Sequence, residues 1–318
     1  MTAKTKAHSA AAKALAGNHG FSLISDQKLL DLYTFMLKIR LLTERMQPSS
    51  GSALGLEATA VGVAIDLLAE DTLLLAPRQS PFALLKAAPL ERILELQQKL
   101  HCGQADSATS ALAQWNVLTP SASNAALLNT ALGVALANKI RDNDRIAVAI
   151  ASADSAQDGS IEEAMTFASL QELPILFVLQ HEPTAQAGSL LTNVEECGFP
   201  IIPVDGDDVV AIYRVATESI ARIRQGRGPT LIECLACPTT EAQGNDPIVK
   251  MERYLSRKGL FREEIKSELL NTFGAALDKA IASVNKLSSA DTSSTARTSV
   301  GSSSHTQPEI AIDSAPTN

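Results

Sequence analysis

The segment Asp144–Glu182, DRIAVAIASADSAQDGSIEEAMTFASLQELPILFVLQHE, decides the fold, because it reads as one complete structural unit. Ile146 to Ala151 is a continuous apolar run of strand length, ended by a Ser/Asp/Gly cluster that makes a loop. Ser160 and Glu163 then stand as a capping box, in which hydroxyl and carboxylate each satisfy an orphan backbone N–H of a first helical turn. Ile161, Ala164, Met165 and Ala168 give that helix one apolar stripe, Leu173-Pro174 stops it, and Ile175 to Leu179 forms a second buried strand. Strand, helix and strand with short joints make a βαβ unit, so the strands are expected to be parallel with a right-handed crossover. Ligands of open parallel sheets gather beyond the carboxyl ends of the strands. Here those ends are the loop Ser152 to Gly159 and the tail Gln180 to Thr184.

Composition bounds the rest. The 318 residues are 45% hydrophobic, enough for one large core, and the net charge of −8 argues against nucleic acid as a partner. No apolar run approaches the roughly 20 residues that span a bilayer. Four cysteines in this length argue against a disulfide framework and for a reducing compartment. Cys234 and Cys237 form a CxxC at the end of a strand-like run with no second pair to complete a zinc site, so they read as buried or spare thiols.

Along the chain, residues 1–22 are rich in Ala, Lys and Ser without an acidic residue. The stretch also lacks Arg, so a disordered tail and a cytoplasmic location are expected, with a mitochondrial transit peptide and the matrix as the alternative. Ser25 opens a long helix with Leu29, Leu32, Tyr33, Met36 and Leu37 on one face. Gly55-Leu56-Glu57-Ala58 starts another, expected to run through Leu68, and Pro89 sits at the first turn of a third, Leu90 to Leu100. Residues 103–122 read as a loop. Asn124 to Lys139 is a helix apolar on nearly all sides, a pattern that suits a large core or a subunit interface. After the central unit come a strand Ile201 to Val204, the string Val204-Asp205-Gly206-Asp207-Asp208 opening a helix Val209 to Gln225, and a strand Thr230 to Leu235. Asp246-Pro247 caps a helix ending at Gly259, and a last helix runs from about Arg262 to Val284. Beyond Lys286 the chain is Ser/Thr-rich, so one domain over 23–285 with a disordered tail over 286–318 is expected.

These strings together resemble the α subunit of the E1 component of 2-oxo acid dehydrogenases of the pyruvate and branched-chain type, over roughly residues 23 to 260. VDGDDVVAIY and GRGPTLIE are the strings most specific to that family. The resemblance implies an α/β fold of three layers that binds thiamine diphosphate, with a parallel sheet between helices. It further implies a β-like subunit in an α2β2 assembly, an acyltransferase core, and decarboxylation of a 2-oxo acid.

The same resemblance places functional residues. The family writes the first loop as Gly-Asp-Gly followed by Asn and Gly, and ends the second strand in Asn-Asn, to hold Mg²⁺ and through it the cofactor's diphosphate. Here Ser152-Ala153-Asp154 takes the place of Gly-Asp-Gly, Gln157 that of Asn, Gly159 that of Gly, and His181-Glu182 that of Asn-Asn. Of the family's Tyr-Arg-Asp-His-Gly segment, aligned with Ala76 to Pro81, only Arg78 is kept, so Arg78, Asp154, Gln157 and Gly159 are the implied cofactor contacts. Near the end of the last strand, Pro238 and Ala242 or Gln243 fall where the family has its Arg and His. Mg²⁺ takes octahedral oxygen ligands at fixed distances, so Ala153 in place of the motif Asp removes a carboxylate and its charge. A rewired metal set of Asp154 and Glu182 is the alternative, against which stands the tight distance tolerance of a metal. His181 ends a strand at the crevice and titrates near neutrality, but no Cys, Ser or second His is placed by sequence to work with it. The expected state is a subunit with a degenerate cofactor site; a working decarboxylase subunit is the second reading.

Overall fold

The computed structural model describes residues 24–46, 53–102, 110–120, 123–152, 160–181, 198–235 and 246–298; the side chains of residues 101, 160, 181 and 287–298 fall outside that description. Helix α1 (Asp26–Arg45) starts where the Ser25 hydroxyl accepts the Lys28 N–H at 3.2 Å, and it buries the expected face. Helix α2 (Glu57–Ala64) is wholly buried and ends one turn before the expected Leu68. The Asp71 carboxylate accepts the Leu68 N–H at 2.8 Å and turns the chain into strand β1 (Thr72–Leu75). A 3₁₀ segment (Pro77–Lys86), helix α3 (Leu90–His101) and strand β2 (Val117–Leu118) follow. Strand β2 lies inside the stretch expected to be loop, because two residues carry no alternation to read.

Helix α4 (Asn124–Ile140) leads into strand β3 (Ala147–Ser152), helix α5 (Ser160–Leu170) and strand β4 (Ile175–His181). Strands β3 and β4 are parallel from Ala147↔Ile175 to Ser152↔Gln180, as the βαβ reading requires. The capping box expected at Ser160 lies outside the described side chains. Strand β5 (Ile201–Asp205), helix α6 (Val209–Arg224) and strand β6 (Thr230–Leu235) come next, and the Asp208 carboxylate caps α6 by accepting two N–H groups at 3.0 Å. Helix α7 (Pro247–Arg257) is capped by Asp246 as expected. Helix α8 continues from Glu263 to Thr298, past its expected end at Val284. Local i to i−4 hydrogen bonds can carry a helix on beyond its packed portion.

All six strands are parallel in the order β2-β1-β3-β4-β6-β5. Leu73, Leu75, Val148, Ile150, Leu176, Val178 and Ile232 face a large core shared with α1, α2, α3, α6, α7 and α8. Leu74, Ala147, Ala149, Ile175, Phe177 and Leu231 face a smaller core covered, among the described helices, by α4 and α5. The result is the expected α/β sandwich of three layers, a sheet between helices.

At the amino edge of the sheet one buried carboxylate ties three elements. Asp71 accepts the Ile146 N–H at 3.1 Å and an Arg224 guanidinium N–H at 2.5 Å in addition to Leu68. Beside it the Lys86 ammonium donates to the carbonyls of Leu68, Ala69 and Asp71, and burial lowers its pKa. Helices α2 and α6 touch through Gly62, where an added Cβ would stand 2.8 Å from Ile212 Cγ2 and 3.1 Å from the Tyr213 backbone nitrogen. Gly62→Val therefore forces two buried helices apart, and overpacking of this kind costs about 1–3 kcal/mol. Urea unfolding of the variant should show that loss; an unchanged midpoint would mean that the contact is looser than its geometry.

Candidate functional site at the carboxyl edge of the sheet

Strands β1 and β3 are neighbours, with Leu75 opposite Ile150, yet the chain leaves them in opposite directions. From β1 it crosses the large-core face through α3 to β2, and from β3 it crosses the other face through α5 to β4. Adjacent parallel strands with diverging connections leave a crevice beyond their carboxyl ends, the usual ligand position of an open α/β sheet. The sequence reading placed its site residues in the loops around this point.

Arg78 lies on the first turn of the 3₁₀ segment after β1, and its side chain is exposed. His181 ends β4, with its side chain outside the description. Ala153, Asp154, Gln157, Gly159, Glu182, Pro238, Ala242 and Gln243 all lie outside the described residues.

Sequence reasoning missed the amide pair that the fold does bring together here. Gln79 is buried and its Oε1 accepts the Ala76 N–H at 3.0 Å, which fixes the start of the 3₁₀ segment. Its Nε2 donates to Gln180 Oε1 at 3.1 Å, so a side chain following β1 reaches across the end of β3 to β4. Gln180 is 4% exposed, and its Nε2 is a buried donor without a protein partner. It shares the large-core face with Ser152 on one side and Cys234 on the other, by register. Asn124 Nδ2, at the start of α4, donates to the Ser152 carbonyl. Gln97 reaches from α3 to Ser80 Oγ at 2.5 Å and the Pro77 carbonyl at 3.2 Å, holding the 3₁₀ segment against the sheet. A lone Gln ending an otherwise apolar strand, LFVLQ, was the available signal.

The described part of this edge is thus rich in amides whose oxygens are already accepting hydrogen bonds. Among the described residues no group of three His, Cys, Asp or Glu side chains is arranged to hold a metal ion. Cys234 is fully buried, and burial pushes its thiol up to about 12 against the downward pull of a Thr59 hydrogen bond. That agrees with a spare thiol; Cys237 lies outside the description.

A second charged group stands where the chain re-enters the described structure at Asp246. Arg40 of α1 makes paired hydrogen bonds to Glu57 of α2 (2.6 and 3.1 Å) and to Asp246 at the head of α7 (2.9 and 3.2 Å). Glu57 is fully buried, and desolvation raises its pKa despite the opposing pull of Arg40. Asp246 is held below the ordinary carboxylate range: burial acts upward on it, and the Arg40 hydrogen bonds and charge with the Ile248 and Val249 N–H groups outweigh that. The directions differ because Glu57 has no water around it and Asp246 keeps some.

Two measurements check this chemistry. Arg40→Met strands a buried carboxylate, a change that costs roughly 3–5 kcal/mol, and Arg40→Met/Glu57→Gln should recover part of it in chemical denaturation. A single variant as stable as the parent would deny the clamp its role. Because a thiol with a raised pKa stays protonated at pH 8, Cys234 should resist iodoacetamide in the folded chain while exposed Cys102 is labelled, read by peptide mass mapping. Rapid native labelling of Cys234 would contradict its burial.

Comparison with known proteins bears on the same region. The family model described as "Dehydrogenase E1 component" matches residues 36–237. The α subunit of 2-oxoisovalerate dehydrogenase from Bacillus subtilis (strain 168) is 25% identical over 306 residues, covering 81% of this chain and 90% of that protein. The α subunit of the pyruvate dehydrogenase E1 component from Staphylococcus aureus (strain Mu50) is 27% identical over 295 residues, covering 81% and 78%. A solved Mycobacterium smegmatis structure described as a thiamin diphosphate-dependent enzyme overlaps with a TM-score of 0.35 at 16% identity, covering 56% of this chain and 32% of its own. The family match spans more than half of the chain and both switch-point strands, and this protein belongs to the dehydrogenase E1 component family as an α-subunit-like member.

Proposed function

We propose that this chain is a 2-oxo acid dehydrogenase E1 α-like subunit that keeps the fold and its pairing with a β-like subunit while its thiamine-diphosphate site is degenerate, which leaves it a scaffolding or regulatory role beside an acyltransferase core. One sequence observation carries the reading, Ala153 at the position of the family's metal-binding Asp. The oxygens that the described residues offer near the crevice are neutral, and each already accepts one hydrogen bond: Gln180 Oε1 from Gln79, Gln79 Oε1 from Ala76, and the Ser152 carbonyl from Asn124. Mg²⁺ is held through one or two carboxylates in a near-octahedral set of oxygens, and these neutral amides and carbonyl supply none, which is what makes them a poor fit for it. No step of thiamine chemistry is assigned to these residues.

Family membership favours a second reading, a working subunit that decarboxylates a 2-oxo acid with thiamine diphosphate in a site shared with its partner. In that case Arg78, Asp154, Gln157 and Gly159 contact the cofactor, Asp154 and Glu182 hold the metal, and His181, at the end of β4, is the candidate for a catalytic role. The free cysteines of the described structure suit the reducing compartment, cytoplasmic or matrix, expected from composition.

Thermal shift with thiamine diphosphate and Mg²⁺ separates the two, on the chain alone and with a β-like partner. A ligand at 100 times its Kd stabilises by about 2.7 kcal/mol, several degrees of Tm for a domain of this size. The degenerate reading expects no Mg²⁺-dependent shift, and a gain in the Ala153→Asp/Glu182→Asn variant. A clear Mg²⁺-dependent shift of the unaltered chain would establish the working subunit instead.

A further inference from the structure

Helix α7 buries Pro247, Ile248, Met251 and Leu255, and its outward side lines a surface depression of about 670 Å³ that Phe261, in the turn after it, helps to close. Small-molecule sites fall in the range of about 300–1,000 Å³. The charge here runs against that of the chain: residues 250–258, KMERYLSRK, hold four basic side chains and one acid in a protein of net charge −8. The acid is already matched, since Glu252 accepts the Tyr33 hydroxyl at 2.7 Å and pairs with the Lys266 ammonium at 2.8 Å. Lys250 is matched as well, by Asp205 at the end of β5. Arg253 and Arg257 pair with no carboxylate among the described residues. Both are exposed, and with Ser256 they stand at i, i+4 and i+3 on one helix face, close enough to converge. The Arg257 guanidinium lies 5.9 Å from the Tyr254 ring centroid, a contact that uses none of its N–H donors. The helix dipole accounts for a cation at Arg257, in the last turn, but not for Arg253 a turn earlier.

We infer that this depression binds a phosphate monoester of a planar ring compound, with the phosphate on Arg253, Arg257 and the Ser256 hydroxyl and the ring against Phe261. Guanidinium forks match phosphate oxygens two at a time, and two forks one helical turn apart supply the charge that a dianion needs. Inorganic phosphate alone leaves Phe261 unused. That ring is already fixed: it meets Tyr33 edge to face, with centroids 6.1 Å apart at 74°, and Tyr33 is itself tied to Glu252. A side chain held in this way loses little freedom when an aromatic ligand packs on it. A small ester suits the site better than an acidic macromolecule, because the positive patch is local while the chain as a whole repels a large polyanion. The inference stands apart from the cofactor question, because none of the lining residues lies on β1, β3 or β4 and no divalent ion enters it.

Isothermal titration calorimetry of the full chain, with EDTA present, tests it with phenyl phosphate, flavin mononucleotide and AMP as probes, and with inorganic phosphate and phenol as the two halves. The expected result is saturable binding of at least one ester with a Kd below about 1 mM, and weaker binding of either half. Arg253→Gln/Arg257→Gln alters exposed positions only, so it should keep the parent's circular dichroism and Tm while weakening the ester roughly 10-fold or more, the loss of a charged hydrogen bond. Phe261→Leu should bring the ester down to the affinity of inorganic phosphate. Arg141→Gln/Lys279→Gln, which removes two exposed cations elsewhere, should leave binding unchanged. Absence of saturable binding for all three esters overturns the inference, as does full binding by the double arginine variant. Inorganic phosphate as tight as every ester would mean an adventitious ion only, and an equal loss in the Arg141/Lys279 control would mean bulk charge; either result also overturns it. Because EDTA removes divalent ions, a Mg²⁺-dependent response to thiamine diphosphate would sink the degenerate reading and leave this one standing.

Discussion

Arg40 satisfies two carboxylates from two directions, and much of the large-core layer depends on that geometry. Its planar fork matches Glu57 on α2 and Asp246 at the head of α7 at once, which a lysine could not do with a point charge. Helix α2 has no solvent-facing side, so its one acid must be neutralised inside the protein. The Asp246 carboxylate also caps α7 by accepting the Ile248 N–H at 2.8 Å. A single guanidinium thus fixes where the late helix begins, relative to two helices formed from the start of the chain.

On the other side of those helices the constraint is topological. Parallel strands need crossovers, crossovers cover both faces, and reversal of their direction between β1 and β3 opens a crevice whatever lines it. The lining is chosen separately. In this chain the crevice is bridged by Gln79 and Gln180, an uncharged contact that joins the segments after β1 and in β4. Buried amide pairs also contribute most to a unique packing when fully satisfied, and Gln180 Nε2 is a buried donor with no partner among the described residues.

Much of the architecture was legible because its signals are local and repetitive. The runs IAVAIA and ILFVL could only be buried strands, Ser25, Asp208 and Asp246 each stood one residue ahead of an apolar period, and all three cap their helices. Strands β1 and β2 were not legible. TLLL and VL are too short to show alternation, and they exist because Thr72–Leu75 finds β3 on one side and Val117–Leu118 on the other. The long-range polar pairs were equally hidden, since nothing in the neighbourhood of Arg40 or Gln79 names a partner far along the chain. Composition did flag the charge-free α4, but only the structure separated its buried stripe from its outward one.

That separation explains how a chain can keep this fold while its chemistry changes. Residues such as Ile150, Val178 and Ile232 are held by the core they fill, and losing any one opens a cavity in a close-packed interior. The strings that identify the family here, VDGDDVVAIY and GRGPTLIE, belong to that class: Asp208 caps a helix, Val209 and Ile212 are core, and Thr230 and Leu231 lie in a central strand. Loop side chains beyond the strand ends answer to the ligand instead, and once a ligand ceases to matter no packing term restrains them. Two sets of residues under two independent physical demands are therefore combined in one chain, the packing residues of the sandwich and the loop residues beyond its strand ends.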